Sequence, residues 1–529
     1  MPMAFQRTRL IASSIVVAVS LCGVRTVAHA QQAFTITPSI SDSEEFTDNA
    51  FFSPSQTRSD LITTLTPGIY IAGQSPRLQG TLDYSPAIDL YALTPSEDLV
   101  GQNLYANGTA TVVPDTLFLD ARGYMALTPS TPGLSNGVFG APQAFPGVTG
   151  LGLGNVAGLG LGNFGVTQGI PKAQLTQTTS FSASPYLTHR FDGLGTAELR
   201  YTLTDTDLSG GTDVLGTSLP SSRTLTNEAT ATFQTGQDFG PLSSRFSLDD
   251  AQSSGTGVLS GSRQETEVVD STYALTQRIS LLASIGHEDL DYGGIPPTRI
   301  DDLIWSGGVQ LTPSQGTMIS ASYGHRNGIT SPTVLIVYSP SPRTTLTASY
   351  TSTLSTTAQE IGNNLAVSGV NANGQLINQT TLLPLTVINP ALGVQTGLSR
   401  TEQFTGTATV NLERNTLSAS IYRSDSSVQA QTTPASSTSQ NTTGGTFVWA
   451  RTITPLTTAN LSLGYSQNTF PTLGAAQDEG LLTIGTSISY VLTASLSAYA
   501  GYNRIDRSSP DPALRITADM VFAGLSKSF

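Results

Sequence analysis

Few residues of this chain have the type and spacing to do chemistry. Three histidines, His189, His287 and His325, lie beyond an N-terminal leader. Only His287 has acidic neighbours, in His287-Glu288-Asp289-Leu290-Asp291, at a strand end entering a loop from Asp291 to Asp302. Imidazole and carboxylates can hold a divalent cation, but this spacing fits neither a tetrahedral zinc site nor a calcium loop. It reads as a solvated acidic rim. No serine is expected in a nucleophile-elbow context such as G-x-S-x-G. The stretch Gly150-Leu151-Gly152-Leu153-Gly154-Asn155, echoed from Gly158 to Asn163, lacks the lysine and the strand–helix frame of a phosphate loop. No catalytic residue, metal ligand or cofactor is expected, and the chain is not expected to be an enzyme.

A second set of polar residues has a clearer pattern. Asp83 and Asp89, Asp120 and Arg122, and Glu198 and Arg200 each fall on the polar parity of an alternating segment. From Arg77 to Tyr91, the residues Leu78, Gly80, Leu82, Tyr84, Ile88 and Leu90 share one face; Gln79, Thr81, Asp83, Ser85 and Asp89 share the other. Period two means a strand with two different faces. Apolar outside and polar inside is the pattern of a transmembrane barrel strand. Charges in such a structure must pair or face water, so these six are the expected lumen-lining residues.

The elements that would position them repeat along the chain. Strands from Phe34 to Phe46 and from Leu61 to Gly73 flank a polar loop, and Gln74-Ser75-Pro76 turns into the third. Short turns recur at Val113 to Thr116, Gln277-Arg278, Pro313 to Thr317, Pro340 to Arg343, Glu413 to Asn415, Thr454-Pro455 and Leu492-Thr493. Long connections alternate with them, the longest being a Gly-rich loop at 128–173 and a second at 356–399 with an apolar run from Leu382 to Ile388. The spacing predicts an all-β fold: a single large antiparallel transmembrane β-barrel of about 22 strands, with short periplasmic turns and long extracellular loops. A soluble β-sandwich or β-helix is the alternative; it needs larger inner aliphatics and does not explain the parity. Such a barrel encloses a lumen too wide for wall side chains to fill. Either loop could fold inward, and the apolar run could pack on the barrel or on a partner. Tyr91, Tyr186, Tyr338, Trp449, Tyr490 and Tyr502 are candidates for interfacial girdles.

Composition agrees. Of 529 residues only 12% are charged, against a typical ~25%. The net charge of −13 argues against nucleic-acid binding. Residues 1–30 read as a secretory signal: Arg7 and Arg9, an apolar run from Leu10 to Leu21, then Ala28-His29-Ala30 before Gln31. The mature region, 31–529, is then one barrel domain with no room for a preceding plug. The only cysteine, Cys22, lies in the signal, so no disulfide or thiol chemistry is expected.

The last residues, Arg515 to Phe529, alternate again, with Val521, Ala523, Leu525 and Phe529 on one parity. A final strand ending in Phe529 resembles the C-terminal signal by which bacterial outer-membrane barrels meet the barrel assembly machinery; Lys527 departs from it. The N-terminal third carries a further resemblance. Ile36-Thr37-Pro38-Ser39-Ile40-Ser41, Phe46-Thr47-Asp48-Asn49, Ser59-Asp60-Leu61-Ile62-Thr63, Leu65-Thr66-Pro67-Gly68, Leu82-Asp83-Tyr84 and Phe118-Leu119-Asp120-Ala121-Arg122 look like the PEP-CTERM/exosortase-system-associated outer-membrane protein family. That resemblance implies an outer-membrane barrel near exopolysaccharide loci and supplies no catalytic residues. Three function classes follow: a channel or conduit linked to exopolysaccharide export, a non-conducting surface scaffold or adhesin, and, least favoured, an outer-membrane hydrolase. The expected partners are outer-membrane lipid, the assembly machinery and polysaccharide-export components.

Overall fold

The computed structural model describes residues 34–130, 170–212, 218–371, 376–381, 383, 385–389, 391–432, 438–473 and 477–529. The expected leader at 1–30 and most of the Gly-rich loop at 128–173 lie outside these residues. Antiparallel segments join into one sheet, in which the first strand, Phe34–Thr47, pairs with the second, Asp60–Gln74, and also with the last, Ile516–Ser528. The sheet thus closes on itself as a barrel of 22 staves. Closure leaves no edge with unpaired N–H and C=O groups, the condition for crossing a bilayer with strands. At the seam, the Phe529 N–H donates to the Pro38 carbonyl at 2.9 Å.

Two staves are interrupted. The third, expected to run unbroken from Arg77 to Tyr91, is split into Leu78–Tyr84 and Ala87–Tyr91. Pro86 has no N–H for the ladder, and the Ser85 N–H instead donates to the Asn103 carbonyl at 2.9 Å. Asn103 lies in the matching gap of the next stave, between Leu99–Gly101 and Leu104–Val113.

Connections alternate in length as expected. Ser314 to Thr317 and Thr454 to Thr457 are tight turns at one end; the other end carries a long excursion from Ser355 to Leu398. One connection at the loop end is nonetheless tight. Asn327 and Gly328 both take positive φ, 54° and 70°, between Thr317–Arg326 and Ile329–Ser341. That is the geometry of a two-residue type I′ hairpin, which Asn-Gly favours because both positions must be left-handed.

The outer face is apolar. Leu199, Ile285, Leu303, Ile421 and Val521 are each between 56% and 61% exposed. Exposed apolar area on this scale is unfavourable in water at about 25 cal/mol per Å2, but neutral against acyl chains. Tyr338 and Tyr490 stand on this face, whereas Tyr91 and Tyr186 turn inward, so the expected aromatic girdle is incomplete. Tyr91 shares the parity of Asp89, and Tyr186 stacks beneath Arg200; both are drawn to interior partners.

Candidate functional site: a lumen spanned by its own loop

The six sequence-predicted lumen residues stand in four separate places on the wall. Asp89 accepts from Thr64 Oγ1 at 2.6 Å on the neighbouring stave. Asp83 pairs in register with Tyr70 and Tyr105 on its two neighbours. Asp120, Glu198 and Arg200 come together: Arg200 Nη1 donates to Asp120 at 3.0 Å and its Nε to Glu198 at 2.9 Å. The same guanidinium lies 3.9 Å above the Tyr186 ring, which stacks on Phe118 at 5.1 Å. One cation thus answers two carboxylates and an aromatic face on a partly dry wall.

Arg122 does something different. Its Nη1 donates to the carbonyls of Leu365 and Ser368, which belong to the excursion from Ser355 to Leu398. That excursion was expected to be a loop, and it instead contains a helix, Thr357–Val367, followed by a small hairpin of Ser368–Val370 with Leu376–Asn378. The helix starts with a capping box. The Gln359 N–H donates to Thr356 Oγ1, and the Thr356 N–H to Gln359 Oε1 at 3.1 Å. Its far end has orphan carbonyls, and Arg122 supplies donors and positive charge there.

The helix lies inside the barrel. Ile361 and Leu365, one turn apart, are fully buried and join Leu208, Val387, Ile388 and Val394 in one cluster, with Tyr124 and Leu376 packed against it. Full burial of side chains of this size contributes about 1.5–3 kcal/mol each. The apolar run, read as packing on the barrel or on a partner, packs on the barrel through Val387 and Ile388. The returning chain is fixed to other staves: Gln440 Nε2 donates to the Leu392 carbonyl at 2.9 Å and Thr442 Oγ1 to the Ala391 carbonyl at 3.1 Å. Arg122 is on the fifth stave and Gln440 on the eighteenth of 22, nearly half a circuit apart. The insertion crosses the lumen from wall to wall.

At the loop end the interior is more apolar than the sequence reading expected. Phe52, Ile170, Leu175, Leu481, Ile505, Ile516 and Met520 form one buried cluster, and Val258, Leu259, Leu290, Tyr292, Ile300, Leu354 and Leu398 another. Rim loops supply Phe52, Ile170, Val258 and Leu259, which explains why strand parity alone did not reveal them. Lower down, hydroxyl pairs line the wall, as in Ser180 with Thr206, Thr226 with Ser253, Ser284 with Ser306 and Thr407 with Ser420.

Glu360, on the inserted helix, gives this arrangement a pH dependence. It keeps some accessible surface, but the surrounding wall strips water from its carboxyl and pushes it up to about 7, opposed by the Asn389 N–H. An acid with a raised folded value favours docking most when protonated. The docked insertion is thus most stable below about 4.5, and that contribution is lost as pH rises through about 7. Protection of the Thr357–Val367 amides, taken relative to their intrinsic exchange rate at each pH, should be greater at pH 5 than at pH 8. Glu360→Gln should flatten the difference; an unchanged pH profile in that variant would rule out Glu360 as its source.

The stretch from His287 to Asp291 lies within a strand and is divided between its faces: His287 and Asp289 stand on the outer wall, while Glu288 is buried and accepts from the Gly328 N–H at 3.2 Å. The strands run on as Ile279–Tyr292 and Thr298–Ser314, placing Asp301 and Asp302 within a strand. His287 Nε2 lies 3.0 Å from Asp301, and Arg299 donates to Asp289 at 3.1 Å. Among the described residues no cluster of three or more histidine, cysteine or acidic side chains could hold a metal ion. Gly133-Leu134-Ser135-Asn136-Gly137 has the letters of a nucleophile elbow, a match the sequence reading missed; it lies outside the described residues.

No family model and no curated protein matches this sequence. Solved structures match in fold. The FrpB iron transporter from Neisseria meningitidis aligns over 93% of this chain and 81% of its own, at 10% identity and a TM-score of 0.50. The siderophore receptor PirA from Acinetobacter baumannii covers 93% and 80% at 10% identity with a TM-score of 0.49. The ferric-catecholate import receptor Fiu from E. coli covers 93% and 81% at 12% identity with a TM-score of 0.47. At such identity the likeness to FrpB concerns the fold alone; with the closed sheet and the apolar outer face the chain is an outer-membrane β-barrel, its tight turns periplasmic and its long loops extracellular.

Proposed function

We propose that this barrel is a gated conduit for polar solutes, closed at rest by its own extracellular insertion, and that it serves export of surface polysaccharide. The observation that carries the conduit is the insertion itself. A wide lumen with a polar lower wall is crossed by a segment held through a few side-chain hydrogen bonds and small apolar contacts with the wall. A segment of that kind can leave without breaking a single barrel stave. The polysaccharide cargo rests on the sequence resemblance of the N-terminal third and on a wall rich in neutral hydroxyls and amides, which match sugar hydroxyls better than they match ions.

A second reading, a non-conducting surface scaffold, is favoured by the two apolar clusters that close the loop end. Planar-bilayer recording separates them. The refolded protein should conduct in brief openings rather than steadily, and liposomes carrying it should admit oligosaccharides. Silence from the intact protein, with no oligosaccharide entry, would favour the scaffold and move attention to the loops as a binding surface.

A further inference from the structure

The insertion reaches almost to the short turns, and there it borders an open cavity of about 480 Å3 against the barrel wall. That size falls within the roughly 300–1,000 Å3 of small-molecule sites. Its lining is almost wholly polar and carries little charge. Gln74, Gln79, Asn107 and Thr109 come from three adjacent staves, Arg122 from the next, and Gln379 from the inserted chain. Carboxamides and hydroxyls both donate and accept, so they suit a ligand dense in hydroxyl groups. Arg122 is the one charged side chain among the described lining residues.

Arg122 also has donors to spare. Nη1 serves the carbonyls of Leu365 and Ser368; Nε and Nη2 make no hydrogen bond among the described residues. A free guanidinium edge with two parallel N–H groups is the partner of a carboxylate. A second line runs from the cavity to the same point of the insertion: Asn107 Nδ2 donates to Tyr105 Oη at 3.0 Å, and Tyr105 Oη lies 3.1 Å from Ser368 Oγ. The cavity wall and the clamp on the insertion therefore share residues.

We propose that this cavity is a periplasm-facing subsite for an acidic oligosaccharide, in which Arg122 binds a sugar carboxylate and the carboxamides bind neighbouring hydroxyls. A carboxylate on the free Nε–Nη2 edge draws the guanidinium toward the cavity and weakens the hold of Nη1 on the Leu365 and Ser368 carbonyls, so the ligand that arrives from inside loosens the segment that blocks its way out. This deepens the conduit reading and rests on it for the direction of transport, while binding itself can be measured without any conduction.

The test is calorimetry on the refolded full-length barrel in detergent, with trigalacturonate and maltotriose as probes. The acidic trimer should bind roughly tenfold or more tightly than the neutral one, the value of a hydrogen-bonded charge. Arg122→Gln should erase that preference, and Arg122→Lys, which keeps the charge, should restore part of it. Gln79→Leu should weaken both probes, because it removes a hydroxyl partner without touching the clamp. Equal binding of the two trimers, or a preference that survives Arg122→Gln, overturns the subsite. Bilayer recordings of the same preparations decide the conduit separately, since a barrel that binds yet never conducts keeps the subsite and loses the conduit.

Discussion

Excising residues 357–397 and joining the flanking strands with a short Gly-Ser linker should turn the barrel into a steadily open pore. The staves that bracket the excision, Thr344–Ser355 and Leu398–Asn411, pair directly with each other from Ser355 to Ser399 onward. Their ladder does not depend on the insertion, so closure of the sheet should survive. What is lost is the cluster around Ile361, Leu365, Val387 and Ile388 and the crossing between the fifth and eighteenth staves. Because a 22-stave lumen is wide enough to need plugging, removal should raise time-averaged conductance by about tenfold or more. Single-channel recording at pH 7 reads this directly. An excised barrel that folds, as shown by its heat-modifiable gel mobility, yet remains silent would mean that other segments close the lumen. Arg122→Ala gives the graded version: it removes the clamp without shortening the chain, and should produce more frequent openings of smaller mean duration.

How far the sequence alone reaches can be judged on particular residues. Strand alternation is a local property, so it was enough to place Asp83, Asp89, Asp120, Arg122, Glu198 and Arg200 on one side of their strands. Which of them meet is not local. Asp120 and Arg200 are joined through the intervening Leu175–Phe191 strand, and their pairing depends on barrel register. The inserted helix had a readable start, since Thr356 and Gln359 have capping-box spacing. It was passed over because the surrounding Ser/Thr-rich stretch resembles every other loop of the chain. The Asn327-Gly328 hairpin was legible in the same way. The apolar clusters at the mouth were not, because their residues come from rim loops whose inward folding no periodicity encodes. Nor could the partners of Arg122 be foreseen: two main-chain carbonyls carry no sequence signature at all.

The largest stability effect should come from the mouth of the barrel, at Arg507. Its Nη1 lies 3.6 Å from Glu479, and both side chains are almost fully buried, at 9% and 2% exposure. Glu479 also accepts from Asn468 Nδ2 at 3.1 Å, and Arg507 Nε donates to the Leu514 carbonyl at 2.8 Å. The pair therefore ties the strands Glu479–Thr493 and Leu496–Ser508 to the rim loop that precedes the last strand. Leu481, directly opposite Arg507 in the ladder, and Ile505, two residues further into the barrel, belong to the buried apolar cluster. In such surroundings a carboxylate left without its cation cannot be rehydrated cheaply. Arg507→Met should accordingly destabilise the barrel by about 3–5 kcal/mol, read as a lower urea midpoint for unfolding from lipid vesicles. Replacing both partners, Glu479→Met with Arg507→Met, should recover most of that loss, because a filled apolar site no longer holds an unpaired charge. The remainder would measure the Leu514 contact. If the single variant unfolds at the wild-type midpoint, water reaches Glu479, and the mouth is wetter than its burial implies. If the double variant is as unstable as the single one, the loop anchor rather than the ion pair holds the rim.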